Sequence, residues 1–134
     1  MTKLYDLAAP LGRLLLSQIF IIAGFNKITG YAATQGYMEA MGVPGFLLPL
    51  VILTELGGGL LLLLGWKTRL VAFLLAGFSL LTGLLFHYIP SLSATGMEAQ
   101  GQMINFMKNI SIAGGMLMIV SMGAGAFALD TRKR

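Results

Sequence analysis

Four long runs with almost no charge constrain this chain more than any other feature. Stretches such as LLLLLG at residues 60–65 and FLLAGFSLLTGLLF at 73–86 offer no polar face that could meet water. A soluble domain carries about 25% charged residues because something must face solvent; here only 10% are charged and 57% are hydrophobic. The runs near Leu11–Ile28, Phe46–Trp66, Leu70–Tyr88 and Met103–Phe127 are each long enough to cross about 30 Å of hydrocarbon at 1.5 Å per residue. Strands of a closed barrel would alternate apolar and polar residues over about 10 positions, and these runs do not alternate. The expected fold is all-α: an integral membrane four-helix bundle forming one domain over residues 1–134.

The remaining residues fit this reading. Lys3, Arg13 and the small pair Ala32–Ala33 around the first run resemble a cleavable signal peptide; the segment is counted here as a membrane helix. The net charge of +4 does not point to nucleic acid, because the basic residues sit at the ends of oily runs instead of forming a patch with interleaved aromatics. With no cysteine, this chain by itself makes no disulfide, thiolate metal site, iron–sulfur cluster or thiol nucleophile.

Lysine and arginine flank membrane helices asymmetrically, with the excess on the cytoplasmic side. Four spans put both termini and the turn at residues 67–69 on one side, with Lys3, Arg13, Lys67, Arg69, Arg132, Lys133 and Arg134. The other side has Lys27 and Lys108. Both termini are therefore expected in the cytoplasm. On the outer side, residues 29–45 should include a short amphipathic or re-entrant helix ended by Gly42 and Pro44. Residues 89–102, rich in Pro, Ser and Gly, read as a loop.

This arrangement gathers polar groups in the outer half of the membrane. Asn26 and Lys27 close the first helix. Glu55 lies nine residues into the second, roughly 13 Å deep. His87 closes the third. Asn105, Lys108 and Asn109 share one face of the fourth, with Ser111 one turn deeper. Gly58 and Gly59, one turn beyond Glu55, would let a neighbouring helix approach beside the carboxylate. Ser79, Gly83 and His87 form a second small and polar stripe. A carboxylate within a span costs a few kcal/mol unless it is paired, protonated or hydrated, so an ion pair of Glu55 with Lys27 or Lys108 is expected. Such a pair could serve helix register alone.

The elements GFNKI, Glu55, the histidine closing the third helix and NFMKNIS together resemble the DoxX family over about Leu11–Asp130. That resemblance implies a four-helix protein of the bacterial inner membrane. Some DoxX members are linked to quinone-coupled sulfur oxidation, as small subunits of a thiosulfate:quinone oxidoreductase, or to membrane-associated oxidoreductase complexes. More distant relatives look like assembly chaperones.

A single histidine without a convincing second axial ligand argues against haem, and one histidine with one intramembrane glutamate does not make a metal cage. A quinone suits the residues better as a candidate cofactor. Its carbonyls need donors such as Lys27, Lys108, His87 and the asparagines, and its proton exchange needs a titratable group such as Glu55. The expected ligand-binding set is therefore Asn26, Lys27, Glu55, His87, Asn105, Lys108 and Asn109. The expected surroundings are the lipid bilayer, a larger membrane or redox complex, and a second copy of the chain. A non-enzymatic accessory or assembly subunit is the competing reading. Reporter fusions test the orientation on which the placement rests: a fusion at Arg134 should report cytoplasm and one near Ala94 the outside. An external C-terminus would move the polar cluster to the wrong face.

Overall fold

The computed structural model describes residues 3–132, so Lys133 and Arg134 of the basic C-terminus lie outside the described residues. Four helices long and apolar enough to span a membrane are present, as expected. They are α1 (Leu4–Thr29), α3 (Gly45–Leu64), α4 (Thr68–Ser93) and α5 (Gly96–Met122). Between the first two lies the short helix expected there, α2 (Tyr31–Ala40). It stops before Gly42, whose φ of 79° suits glycine, and before Pro44.

The stretch 89–102 is not the loop expected from its composition. Ile89–Ser93 completes α4 and Gly96 opens α5, leaving only Ala94 and Thr95 outside helix. Pro90 lies just after the π-helical turn Leu84–Tyr88, and α4 continues through it to Ser93. The other end also differs: α5 stops at Met122 instead of reaching Phe127, because the chain turns sharply at Gly123 (φ 83°) and Gly125 (φ 74°).

The bundle is built as two tight pairs, α1 with α3 and α4 with α5. Without a hydrophobic drive between helices in lipid, close packing through small residues holds such pairs together. A Cβ on Gly24 of α1 would stand 2.8 Å from the Leu56 backbone nitrogen of α3. One on Gly59 of α3 would meet Ile21 and Phe20 of α1. In the second pair, Gly83 of α4 lies against the Asn109 side chain of α5.

The two pairs meet in a solid core of Phe20, Leu62, Val71, Ala72, Leu75, Ala76, Ala113 and Met116, in the half nearer the termini. Much of the outer surface is exposed Leu, Ile, Phe and Met, as a lipid-facing bundle requires. A polar clasp closes the terminal end. Arg13, expected as a flanking charge, is only 2% exposed. Its guanidinium donates to the carbonyls of Leu63 (2.7 Å), Ala126 (3.0 Å) and Phe127 (2.7 Å), capping α3 and pinning the segment after α5. Asp130 accepts from the Lys67 and Thr68 amides and the Thr68 hydroxyl at the start of α4. Partial burial pushes the Asp130 carboxyl up, but the hydrogen bonds from Thr68 and Lys67, with nearby Arg13, outweigh it and hold it below the usual carboxylate range.

Candidate functional site

At the end of the bundle away from the termini, a cavity of about 290 Å³ lies between the helices. All five helices line it. Ile19, Phe20, Ala23 and Lys27 come from α1, Val51 and Glu55 from α3, and Phe78, Ser79, Thr82, Phe86 and His87 from α4. Lys108, Asn109 and Ile112 come from α5, and Thr34, Tyr37 and Met38 from α2.

Two of the walls are irregular in a similar way. Leu53–Gly57 of α3 and Leu84–Tyr88 of α4 are π-helical turns, and they carry Glu55 and His87 respectively. In α3 the Thr54 hydroxyl donates to the Leu50 carbonyl at 2.8 Å, just before the triplet Gly57–Gly58–Gly59. Pro90 has no N–H for the Phe86 carbonyl and crowds it. Such turns are frequent at functional sites because they re-aim side chains without ending the helix.

Inside the cavity Lys27 Nζ donates to Glu55 Oε1 at 2.8 Å. Glu55 is buried, whereas the Lys27 side chain keeps 29% of its surface exposed. Of the two lysines that could neutralise the carboxylate, Lys27 does so. Lys108 is exposed at the cavity wall, where its Nζ donates weakly to Asn105 Oδ1 of its own helix (3.3 Å). Asn109 Nδ2 donates across the α4–α5 seam to the Ser79 carbonyl (3.1 Å) and Thr82 Oγ1 (3.3 Å). His87 Nδ1 and Gln102 Oε1 lie 2.8 Å apart, with the amide oxygen as acceptor. Over these groups α2 lays Tyr37, stacked on Phe86 with centroids 5.7 Å apart.

Five of the seven residues singled out in the sequence therefore meet at one cavity: Lys27, Glu55, His87, Lys108 and Asn109. Asn26 is exposed and Asn105 holds Lys108, and neither lines it. Ser111 is exposed and back-bonds to Met107, so the polar face of α5 does not continue inward. Three contributions were overlooked, and each had a readable signal. Thr34, Tyr37 and Met38 are spaced i, i+3, i+4 on α2, Thr82 lies one turn from Ser79, and Gln102 lies one turn before Asn105.

The DoxX family model matches residues 8–88, which include Lys27, Glu55 and His87. The chain belongs to the DoxX family. This DoxX protein is 52% identical over 130 residues to the inner membrane protein YqjF of Escherichia coli (strain K12), covering 97% of this chain and 95% of that one. It is 37% identical over 124 residues to the inner membrane protein YphA of the same organism, covering 91% and 87%. It is also 32% identical over 76 residues, 57% of each chain, to CatD of Bacillus subtilis (strain 168), whose name proposes an oxidoreductase. No solved structure matches the chain. The family and the four spans together make it a multi-pass inner-membrane protein.

Removing one partner of a buried ion pair leaves the other uncompensated, whereas removing both does not. Lys27→Met and Glu55→Gln should therefore each destabilise the purified DoxX protein by about 1–3 kcal/mol, allowing for the partial exposure of Lys27. The double variant should recover part of that loss. Unfolding of all four proteins in one detergent measures the coupling; strictly additive losses would show that the pair contributes nothing.

Proposed function

We propose that this DoxX protein binds the headgroup of a quinone, or a similar dicarbonyl ring, in the five-helix cavity, as part of a redox-linked membrane complex. The carrying observation is the lining itself. Aromatic and aliphatic walls from Phe20, Val51, Phe78, Phe86 and Ile112 surround a few convergent polar groups, the usual composition of a small-molecule pocket. A volume of about 290 Å³ suits one ring and its substituents and not a long chain as well.

When bound, such a group supplies two-electron redox chemistry coupled to proton exchange. The ammonium of Lys108 and the amide of Asn109 are donors for a ring oxygen on the α5 side, and Lys27 on the α1 side. Glu55, the one carboxylate lining the cavity among the described residues, is the group suited to hold or pass a proton, with Lys27 as its ion-pair partner. Electrons would come from a partner oxidoreductase, a role consistent with the name of CatD. The basic residues clustered at the terminal end support cytoplasmic termini, which would place the cavity in the outer half of the inner membrane.

One observation favours the alternative of a non-enzymatic accessory or assembly subunit. The Lys27–Glu55 pair is already satisfied within the chain and needs no ligand to be stable.

Lys108 separates the two readings, because its charge is exposed and bonded only within its own helix. Lys108→Met keeps the apolar stem and should leave unfolding within about 0.5 kcal/mol of the wild type, while lowering co-purified or added quinone. Lipid-extract mass spectrometry and a thermal scan on the same sample read both quantities. A wild type that never carries quinone, and takes up none when it is added, would leave the accessory reading standing.

A further inference from the structure

A second hollow lies on the membrane-facing side of the seam between α3 and α4. Its volume is about 440 Å³, and it is lined by Leu53, Thr54, Gly57, Gly58 and Leu61 of α3 with Val71, Leu74, Leu75 and Phe78 of α4. Three observations connect it to the headgroup cavity. Phe78 lines both spaces, so the two adjoin at that residue. Glu55, in the cavity wall, lies on the same π-helical turn as Leu53, Thr54 and Gly57, so the groove begins at the level where the cavity ends. Finally, the groove is almost wholly apolar, with the Thr54 hydroxyl turned back onto the Leu50 carbonyl, while the cavity holds the polar groups.

We propose that this groove is a tail subsite. An amphiphile whose polar ring occupies the five-helix cavity would pass its apolar chain beside Phe78 and lay it along Gly57, Gly58 and Leu61 towards the terminal half of the bundle. From Leu53 to Leu61 the groove follows about 12 Å of helix, enough for the first part of an isoprenoid chain. The rest of the chain lies in the bilayer. Lipid is as apolar as the groove, so the gain comes from shape and dispersion and not from leaving water. The substrate class is then a long-chain isoprenoid quinone, as opposed to a small water-soluble quinone. This inference rests on the quinone reading given above.

Gly57→Leu is the test, because a Cβ at Gly57 meets only Leu53 Cδ1 at 3.7 Å, an ordinary contact. Leucine also favours helix over glycine, so the variant should fold while filling the groove. Gly114→Leu, where nothing lies within 4 Å of the new Cβ, is the control for added bulk on a membrane face. Binding of a long-chain isoprenoid quinone and of the same ring without its tail is measured in nanodiscs. Gly57→Leu should weaken the long-chain ligand by about tenfold and leave the tail-less ring unchanged, while Gly114→Leu changes neither. Equal affinity of Gly57→Leu and wild type for the long-chain quinone would overturn the tail subsite and leave the headgroup site intact. If wild type binds neither compound, the headgroup reading fails and the tail subsite with it.

Discussion

A carboxylate cannot stay bare in hydrocarbon, and the arrangement of this bundle answers that constraint. Glu55 sits inside a span, so it must face inward and find a cation. Lys27 supplies it at 2.8 Å from the neighbouring helix. That contact sets the relative rotation of α1 and α3, and the glycines at 24 and 59 bring the two backbones close enough to form it. With the pair facing inward, the remaining polar groups of α4 and α5 complete a wall around it. The terminal half fills with aliphatic and aromatic side chains up to the Arg13 and Asp130 clasp.

The molecule thus divides along the membrane normal. One half is solid and closed by the Arg13 and Asp130 clasp; the other holds a cavity roofed by α2. The two π-helical turns belong to the hollow half. They let α3 and α4 continue as spans while turning Glu55 and His87 towards a common space. A regular helix of the same sequence would shift every later side chain by about 100° relative to the earlier ones, so the turns keep both the core face and the cavity face inward.

Much of this was legible in the sequence. Hydropathy alone marked the four spans, since no other structure satisfies backbone polar groups across a bilayer at that composition. The cost of an intramembrane carboxylate made Glu55 the informative residue and named its two candidate partners, though nothing in the spacing could choose between Lys27 and Lys108. Residues 89–102 misled because Pro, Ser and Gly signal loops in water, whereas here they fall at a helix junction. Arg13 misled for a related reason. A lone arginine near the end of a span reads as a flanking charge, and only the return of the chain after Gly123 gives it three carbonyls to bind. Asn26 stood one helical step off the inward face, and Asn105 one turn further out on the face of Lys108.

The proposed function requires the ion-paired cavity to hydrogen-bond the carbonyls of a quinone ring. Infrared difference spectroscopy with a quinone isotopically labelled at its carbonyls observes those bonds directly. The carbonyl stretch should be lowered in frequency relative to the same quinone in protein-free lipid, with the lowering reduced when Lys108 is replaced by methionine. A stretch identical to that in lipid alone, in wild type saturated with quinone, would rule out the cavity as the headgroup site.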